Sequence, residues 1–222
     1  MTKNNNENLA EHLKPTEFIE CEAPAIVEMA QKAVSGVSDP AEMARRLFYA
    51  VRDQVRYNPY QRFLDREIYR ATKVLENGHG YCVQKAILLA SLARAVGIPT
   101  RLAFADVRNH QMTEKLRQQM GTNLFIYHGY VEFFLNGNWV KATPAFDQGL
   151  VDRQDILPVE FDGKNDATLH PVDPHGAQHI EYVEFRGAFA DLPFDDLVKA
   201  FVETYAPTME THGVWKDLIS PE

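Results

Sequence analysis

The first half of the chain carries apolar residues at the three- and four-residue spacing of amphipathic helices. Pro24 and Pro40 stand at the start of two such segments, where proline is favoured because the first turn of a helix leaves backbone N–H groups unpaired. The spacing predicts helices over four stretches, residues 24–35, 41–55, 65–76 and 82–96.

The second half changes to runs rich in aromatic and β-branched residues, which are typical of strands. The segment Asn136-Gly137-Asn138 separates two of these runs and predicts a tight hairpin turn. The predicted strands cover residues 100–107, 124–135, 139–144 and 179–186. A short polar helix over 113–120 precedes the hairpin, either as a lid beside a site or as a surface connection. A final helix covers 191–205.

The order of these elements predicts the fold class. Helices come first and strands later, so we expect an α+β protein with N-terminal helices packed on an antiparallel sheet. We expect one domain over residues 1–222, with a core of about 45–147 and a C-terminal extension over 148–222. Residues up to about 15 are polar and are expected to be loose, and the proline- and glycine-containing stretch 148–178 is expected to be mostly loop.

Composition argues against several classes of partner. A formal net charge of −8, without a basic stripe, argues against nucleic acid. No run approaches the roughly 20 apolar residues of a membrane span, and no signal peptide is evident, so we expect no membrane partner and a cytoplasmic location. The two cysteines, Cys21 and Cys82, are expected to be free thiols. No Asp-x-Asp-x-Asp-Gly calcium loop occurs, and we expect no metal or cofactor.

Cys82 is the strongest candidate for a catalytic residue. It follows Gly78-His79-Gly80-Tyr81 and precedes a predicted helix, so its sulfur should lie at a helix N-terminus. Free backbone N–H groups and the helix dipole favour a thiolate there, which is the nucleophilic form. Cys21 stands between Glu20 and Glu22, which disfavour a thiolate, and is not expected to be catalytic.

A nucleophilic cysteine needs a base, and the expected one is His128, which lies in the predicted strand before the hairpin. If Leu135 pairs with Asn138, His128 falls opposite Ala145, and Thr143 and Asp147 are its diagonal neighbours. Either of these two side chains could accept a hydrogen bond from the imidazole, which completes the order nucleophile, base and orienting group.

Several spaced segments resemble the transglutaminase-like domain, a branch of the papain-like cysteine fold. They are Leu47 to Tyr57, Ala71 to Cys82, Arg94 to Arg101, and His128 to Glu132 with Asn138-Trp139-Val140. The resemblance implies catalysis by Cys82 and His128 through a thioester acyl-enzyme.

The resemblance has one departure. The family pattern places a catalytic aspartate in an Asp-Pro-Thr triplet after the tryptophan, whereas this chain has Thr143-Pro144-Ala145. We favour Asp147 as the orienting residue because a carboxylate stabilises an imidazolium better than a hydroxyl does. Thr143 remains the alternative.

The backbone N–H of Cys82 and the side chain of Gln84 are candidates for stabilising an oxyanion. The residues predict acyl transfer from a peptide or small amide through a Cys82 acyl-enzyme, with water as acceptor in a peptidase or amidase and an amine as acceptor in a transglutaminase. One alternative is a noncatalytic binding module on the same fold. The other is a metal-dependent hydrolase that uses a late cluster, His170, Asp173, His175 and His179. Neither the substrate nor the oligomeric state follows from the sequence.

Overall fold

The computed structural model describes residues 8–212. Within them the α-helices are α1 (Pro24–Ala33), α2 (Pro40–Gln54), α3 (Ala71–Asn77), α4 (Cys82–Ala95), α5 (Glu114–Met120), α6 (Gln148–Gln154) and α7 (Phe194–His212). The strands are β1 (Arg56–Tyr57), β2 (His79–Gly80), β3 (Thr100–Asn109), β4 (Leu124–Leu135), β5 (Asn138–Ala142) and β6 (Ile180–Phe189).

The main sheet has four antiparallel strands in the order β5-β4-β3-β6, and β1 pairs with β2 in a small parallel pair. Helix α4 packs on β4 and β3 from one side and on α1, α2 and α3 from the other. Every residue from Cys82 to Arg94 is therefore buried. This central position explains why the α4 sequence is apolar almost all round, since a helix enclosed on all sides needs no polar face.

The structure confirms the α+β class and the hairpin. Leu135 pairs with Asn138, and Asn136 and Gly137 have φ values of 50° and 84°, as a two-residue hairpin turn requires. The pairing ends at Val131 with Ala142, so the extrapolated ladder opposite His128 does not form. Thr143 instead donates its N–H to the Ala167 carbonyl at 2.9 Å.

Four parts of the predicted organisation differ from the structure. The helix expected over 65–76 is divided into a 3-10 turn (Arg66–Tyr69) and α3, because Arg70 is extended and Ala71 donates its N–H to the Phe18 carbonyl. The stretch 148–178 contains α6, and the last helix starts at Phe194. A 3-10 turn, Glu11–Leu13, lies within the N-terminal residues expected to be loose.

The C-terminal elements join the same core as the N-terminal helices. Strand β6 extends the sheet beside β3, and α7 packs on α5 and β4. No helix in the described range has the length and apolar character needed to cross a membrane.

Candidate active site

The turn before Cys82 is held by side-chain hydrogen bonds. Helix α3 ends at Gly78 with φ 64°, and the extended Tyr81 leads to Cys82 as the first residue of α4. Gln84 accepts the Tyr81 N–H at 3.0 Å and donates to the Ile68 carbonyl at 2.8 Å. Gln84 is fully buried and both ends of its amide are engaged. The sequence-based expectation that Gln84 stabilises an oxyanion is therefore wrong for this structure, since its amide holds the turn.

Gly129 lets the start of α4 approach strand β4. A Cβ atom at Gly129 would lie 2.8 Å from the Val83 Cα, which is closer than packed atoms come. The Gly129 N–H also lies near the Cys82 sulfur and favours its thiolate. The missing side chain thus places Cys82 beside the strand segment that carries His128.

A bulge in β4 precedes His128. Ala105 pairs with His128 and Val107 pairs with Phe125, so β4 has one more residue than β3 between these pairs. Tyr127, which lies in this bulge, has φ 53°. Asp106 accepts the Tyr127 N–H at 3.1 Å and binds the Arg186 guanidinium through both carboxylate oxygens. The ion pair between β3 and β6 therefore holds the strained residue next to His128.

His128 lies in an aromatic environment and is only 4% exposed. Its ring stacks against Tyr130 and meets Tyr182 edge-on, each with a centroid distance of 6.2 Å. Its Nε2 atom is fully buried and has no hydrogen-bond partner among the described residues. The imidazole as a whole lines the same cavities as Cys82.

Cys82 and His128 together line two adjoining cavities. The residues common to both linings are Tyr57, Pro59, Tyr60, Cys82, Leu116, Phe125 and His128. Leu116 comes from α5, so the predicted polar helix does border the site. A thiol and an imidazole on one cleft, at a helix start and on a strand, form an arrangement that can perform nucleophilic chemistry.

Burial controls the protonation of both groups. It raises the pKa of the Cys82 thiol to about 11, although the backbone N–H groups of Gly129, Val83 and Cys82 act in the opposite direction. It lowers the pKa of His128 to about 4. Burial thus opposes the resting thiolate expected from the helix terminus and favours a neutral thiol and a neutral imidazole, because the charged form of each group loses its hydration there.

Asp147 has a different position from the one expected. Its carboxylate accepts the Tyr57 N–H at 2.7 Å and the Leu150 N–H at 3.0 Å, so it joins β1 to the start of α6. Its charge acts on Lys85, whereas burial is the one influence that shifts the pKa of His128. Asp147 thus serves as the N-cap of α6, and no contact with His128 supports an orienting role.

Thr143 is linked to His128 through Tyr182. It is fully buried, and its Oγ1 has no partner with hydrogen-bond geometry among the described residues. It lies close enough to the Tyr182 hydroxyl to lower that group's pKa, although burial raises the pKa of Tyr182 overall to about 12. The edge of the Tyr182 ring contacts His128. Thr143 and the His128 ring therefore both lie beside Tyr182.

Lys85 is a buried residue that the sequence analysis missed. Its Nζ donates to the carbonyls of Arg52 at 2.9 Å and Val55 at 2.6 Å, which ties the end of α2 to α4. Burial lowers the pKa of Lys85 to about 7, against the opposing charge of Asp147. The signal in the sequence is a cation inside a mostly apolar helix, three residues after Cys82.

The late histidine cluster does not form a metal site. His170 bonds the Pro158 carbonyl at 2.9 Å, and His175 pairs with Asp155 at 2.7 Å. Among the described residues, no three His, Cys, Asp or Glu side chains are placed to share an ion. The metal-dependent alternative has no geometric support in this part of the chain.

Comparison of the sequence with protein families gives a match to "Transglutaminase-like superfamily" over residues 27–144, which is more than half of the chain. The chain belongs to this superfamily. Cys82 and His128 both fall inside the matched segment, whereas Asp147 and the elements from α6 to α7 follow it. At the level of the superfamily, membership supports a cysteine-dependent enzyme. No curated protein gives a significant match to the chain.

The fold recurs in a solved structure. The chain aligns with a protein from Cytophaga hutchinsonii described as a "Putative Cysteine Protease", at 15% identity and TM-score 0.52, over 85% of this chain and 49% of that one. It also aligns with the periplasmic domain of TgpA from Pseudomonas aeruginosa, at 17% identity and TM-score 0.42, over 61% of this chain and 46% of that domain. The chain spans about half the length of each. The cytoplasmic location stays a prediction.

Proposed function

We propose that this transglutaminase-like protein is a cysteine hydrolase that cleaves an amide or peptide bond through a Cys82 acyl-enzyme. The observation that carries the proposal is the shared cleft, in which a thiol at the start of α4 and the imidazole of His128 line the same cavities. The two groups come from distant parts of the chain, and burial favours the neutral form of each.

The first step forms a carbon–sulfur bond. The Cys82 sulfur attacks the amide carbonyl while its proton passes to His128 Nδ1, and the carbonyl electron pair moves to the oxygen. The Cys82 backbone N–H, unpaired at the helix start, is the donor proposed for that oxyanion. Collapse of the intermediate breaks the carbon–nitrogen bond, and the imidazolium proton leaves with the amine.

The second step hydrolyses the thioester. Water attacks the acyl carbon, gives a proton to His128, and releases a carboxylic acid and the Cys82 thiol. If an amine replaced water, the product would be a new amide and the protein would be a transglutaminase. The ratio of methylamide to free acid formed in the presence of methylamine separates the two reactions, because a transferase favours the methylamide and a hydrolase favours the acid.

Thr143 is the orienting residue that the environment supports better than Asp147. A hydrogen bond from His128 Nε2–H to Thr143 Oγ1 would satisfy two buried polar atoms, each of which costs about 1–3 kcal/mol when unpaired. It would also leave Nδ1 unprotonated and ready to accept the thiol proton.

Kinetics of three variants test the assignment. We expect Cys82→Ala to abolish turnover and Thr143→Ala to lower kcat at least about 10-fold, with Thr143→Ser restoring it. Asp147→Asn should mainly lower the thermal midpoint, because it weakens the α6 cap. If Asp147→Asn lowers kcat and Thr143→Ala does not, the orienting role belongs to Asp147.

The rival function is a noncatalytic binding module. It predicts that Cys82→Ala leaves every activity of the protein unchanged and that no thioester forms with any amide. Trapping the acyl-enzyme by acid quench and mass spectrometry decides between the two, since a covalent adduct at Cys82 excludes a purely binding role.

A further inference from the structure

The cleft has two parts that meet at Cys82. One, the apolar pocket, is lined beyond the shared residues by Phe63, Tyr81, Met120, Ile126, Phe201 and Tyr205. The other, the mixed pocket, includes the amide side chains of Asn109 and Gln154 and the hydroxyl of Thr113. A substrate held at the thiol therefore extends into two different environments, one on each side.

Rings form most of the wall of the apolar pocket, and two of its tyrosine hydroxyls are engaged elsewhere. The Tyr81 hydroxyl bonds the Tyr69 hydroxyl at 2.9 Å. The Tyr205 hydroxyl accepts the Ile126 N–H at 3.0 Å and donates to the Leu124 carbonyl at 3.1 Å. Phe63 contacts Tyr81 and Phe201 edge-on, with centroid distances of 5.1 and 5.4 Å. The pocket thus presents carbon surface.

Charge is missing from both parts of the cleft. Among the side chains that the structure describes, neither lining contains Asp, Glu, Lys or Arg, although 24% of the sequence is charged. A charged group entering the apolar pocket would lose its hydration without gaining a partner, which is costly. An aromatic box can bind a cation, but here no carboxylate in the lining supports one.

Size limits the group further. The free space in the apolar pocket is about 70 Å³. A dry cavity of about 150 Å³ is known to hold a benzene ring, so this pocket suits a smaller, aliphatic group. The amide and hydroxyl groups of the mixed pocket suit the backbone of a peptide, which needs hydrogen-bond partners.

We propose that the apolar pocket is a specificity site for an uncharged aliphatic side chain next to the reacting carbonyl, of the size of leucine or methionine, and that the mixed pocket binds the peptide backbone on the other side. The substrate class is then a neutral amide or peptide flanked by an aliphatic residue. This inference rests on the proposed function for its chemistry, but the pocket can be probed without turnover.

Methanethiosulfonate reagents probe the pocket directly. The Cys82 sulfur attacks the divalent sulfur of the reagent. A mixed disulfide forms, the sulfur–sulfur bond to the sulfonyl group breaks with loss of methanesulfinate, and the Cys82 proton passes to solvent. Butyl, benzyl, sulfonatoethyl and trimethylammonioethyl reagents are compared, with rates at Cys82 followed by peptide mass spectrometry and normalised to free cysteine. We expect the butyl reagent to react at least about 10-fold faster than each of the other three. An equal or faster charged reagent overturns the proposal, and a faster cationic one identifies a cation site instead.

Substitutions at Met120 test which pocket sets the preference. Met120 lines only the apolar pocket, whereas Gln154 lines only the mixed one. Met120→Glu should raise the labelling rate of the trimethylammonioethyl reagent relative to that of the sulfonatoethyl reagent at least about 10-fold. Met120→Ala should enlarge the pocket, so that the benzyl reagent labels Cys82 as fast as the butyl reagent. Gln154→Glu, the matched control, should leave the butyl preference unchanged. If Gln154→Glu alters the order and Met120→Glu does not, the aliphatic site has been assigned to the wrong pocket.

Cleavage of a mixed peptide library separates this inference from the proposed function. Cuts flanked by leucine or methionine support both. Cuts without an aliphatic preference overturn the specificity site and leave the hydrolase intact. Butyl-selective labelling without any cleavage, in the library or in amide substrates, overturns the hydrolase and leaves the pocket assignment standing.

Discussion

At the scale of the residue, burial decides the chemistry of Cys82. Because burial raises the pKa of its thiol to about 11, its reaction with iodoacetamide should be slow near about pH 7 and rise about tenfold per pH unit towards about pH 11. Rates at Cys82, resolved by mass mapping over that range, check this. A rate already at its plateau below about pH 7 would instead demonstrate a thiolate–imidazolium pair.

His128 supplies a second prediction at this scale, on stability. Its pKa is about 4 in the folded protein and about 6.5 unfolded, so between these values the unfolded chain binds a proton that the folded chain does not. The free energy of unfolding should therefore have its full value above about pH 6.5. As the pH falls towards about 4, protonation of His128 in the unfolded chain should lower it by about 3 kcal/mol.

Urea unfolding at several pH values, compared between the wild type and His128→Asn, isolates this contribution, because the variant keeps every other titrating group. The free energy of unfolding of the wild type should fall more steeply with acid. Parallel curves would show that His128 is not buried in neutral form.

At the scale of the element, the contact between α4 and β4 depends on Gly129. Gly129→Ala places a Cβ 2.8 Å from the Val83 Cα, so either the helix moves away or the strand bends. We expect a loss of about 1–3 kcal/mol in unfolding free energy, together with reduced turnover because Cys82 shifts from His128. Gly137→Asn is the control, since the hairpin turn is open there and asparagine tolerates its positive φ. Unchanged turnover in Gly129→Ala would contradict this role.

At the scale of the whole molecule, the C-terminal elements complete both the core and the cleft. The matched superfamily segment ends at residue 144, yet β6 extends the sheet and Phe201 and Tyr205 line the apolar pocket. Among the described side chains, deleting residues 179–222 removes five buried apolar ones, Ile180, Leu192, Leu197, Phe201 and Tyr205. Burial of each side chain stabilises the fold by about 1.5–3 kcal/mol. The loss of all five is therefore comparable to the whole free energy of unfolding of a typical domain. We therefore expect no cooperative unfolding transition in circular dichroism.

A shortened chain that still unfolded cooperatively at the wild-type midpoint would show that β6 and α7 form an accessory layer. In that case the apolar pocket would lose its α7 wall while Cys82 and His128 kept their places. Alkylation selectivity of the shortened chain would then report the change directly.

The sequence by itself determined the features that depend on near neighbours along the chain. Helical spacing and the preceding glycines place Cys82 at the start of α4, and Asn136-Gly137 sets the hairpin register, because turn geometry and side-chain periodicity are local. The order of elements determined the α+β class, and several spaced motifs indicated the superfamily.

Only the tertiary structure decided how side chains from distant segments meet. It assigned Asp147 to the α6 cap and Gln84 to the turn, because their partners, Tyr57 and Ile68, lie 90 and 16 residues away in sequence. Burial also raises the pKa of the Cys82 thiol against the effect of the helix start, because desolvation depends on the long-range packing of the site. The local sequence pattern specifies the position of a residue within its helix or strand. Its hydrogen-bond partners, its pKa and the pocket around it follow from long-range packing.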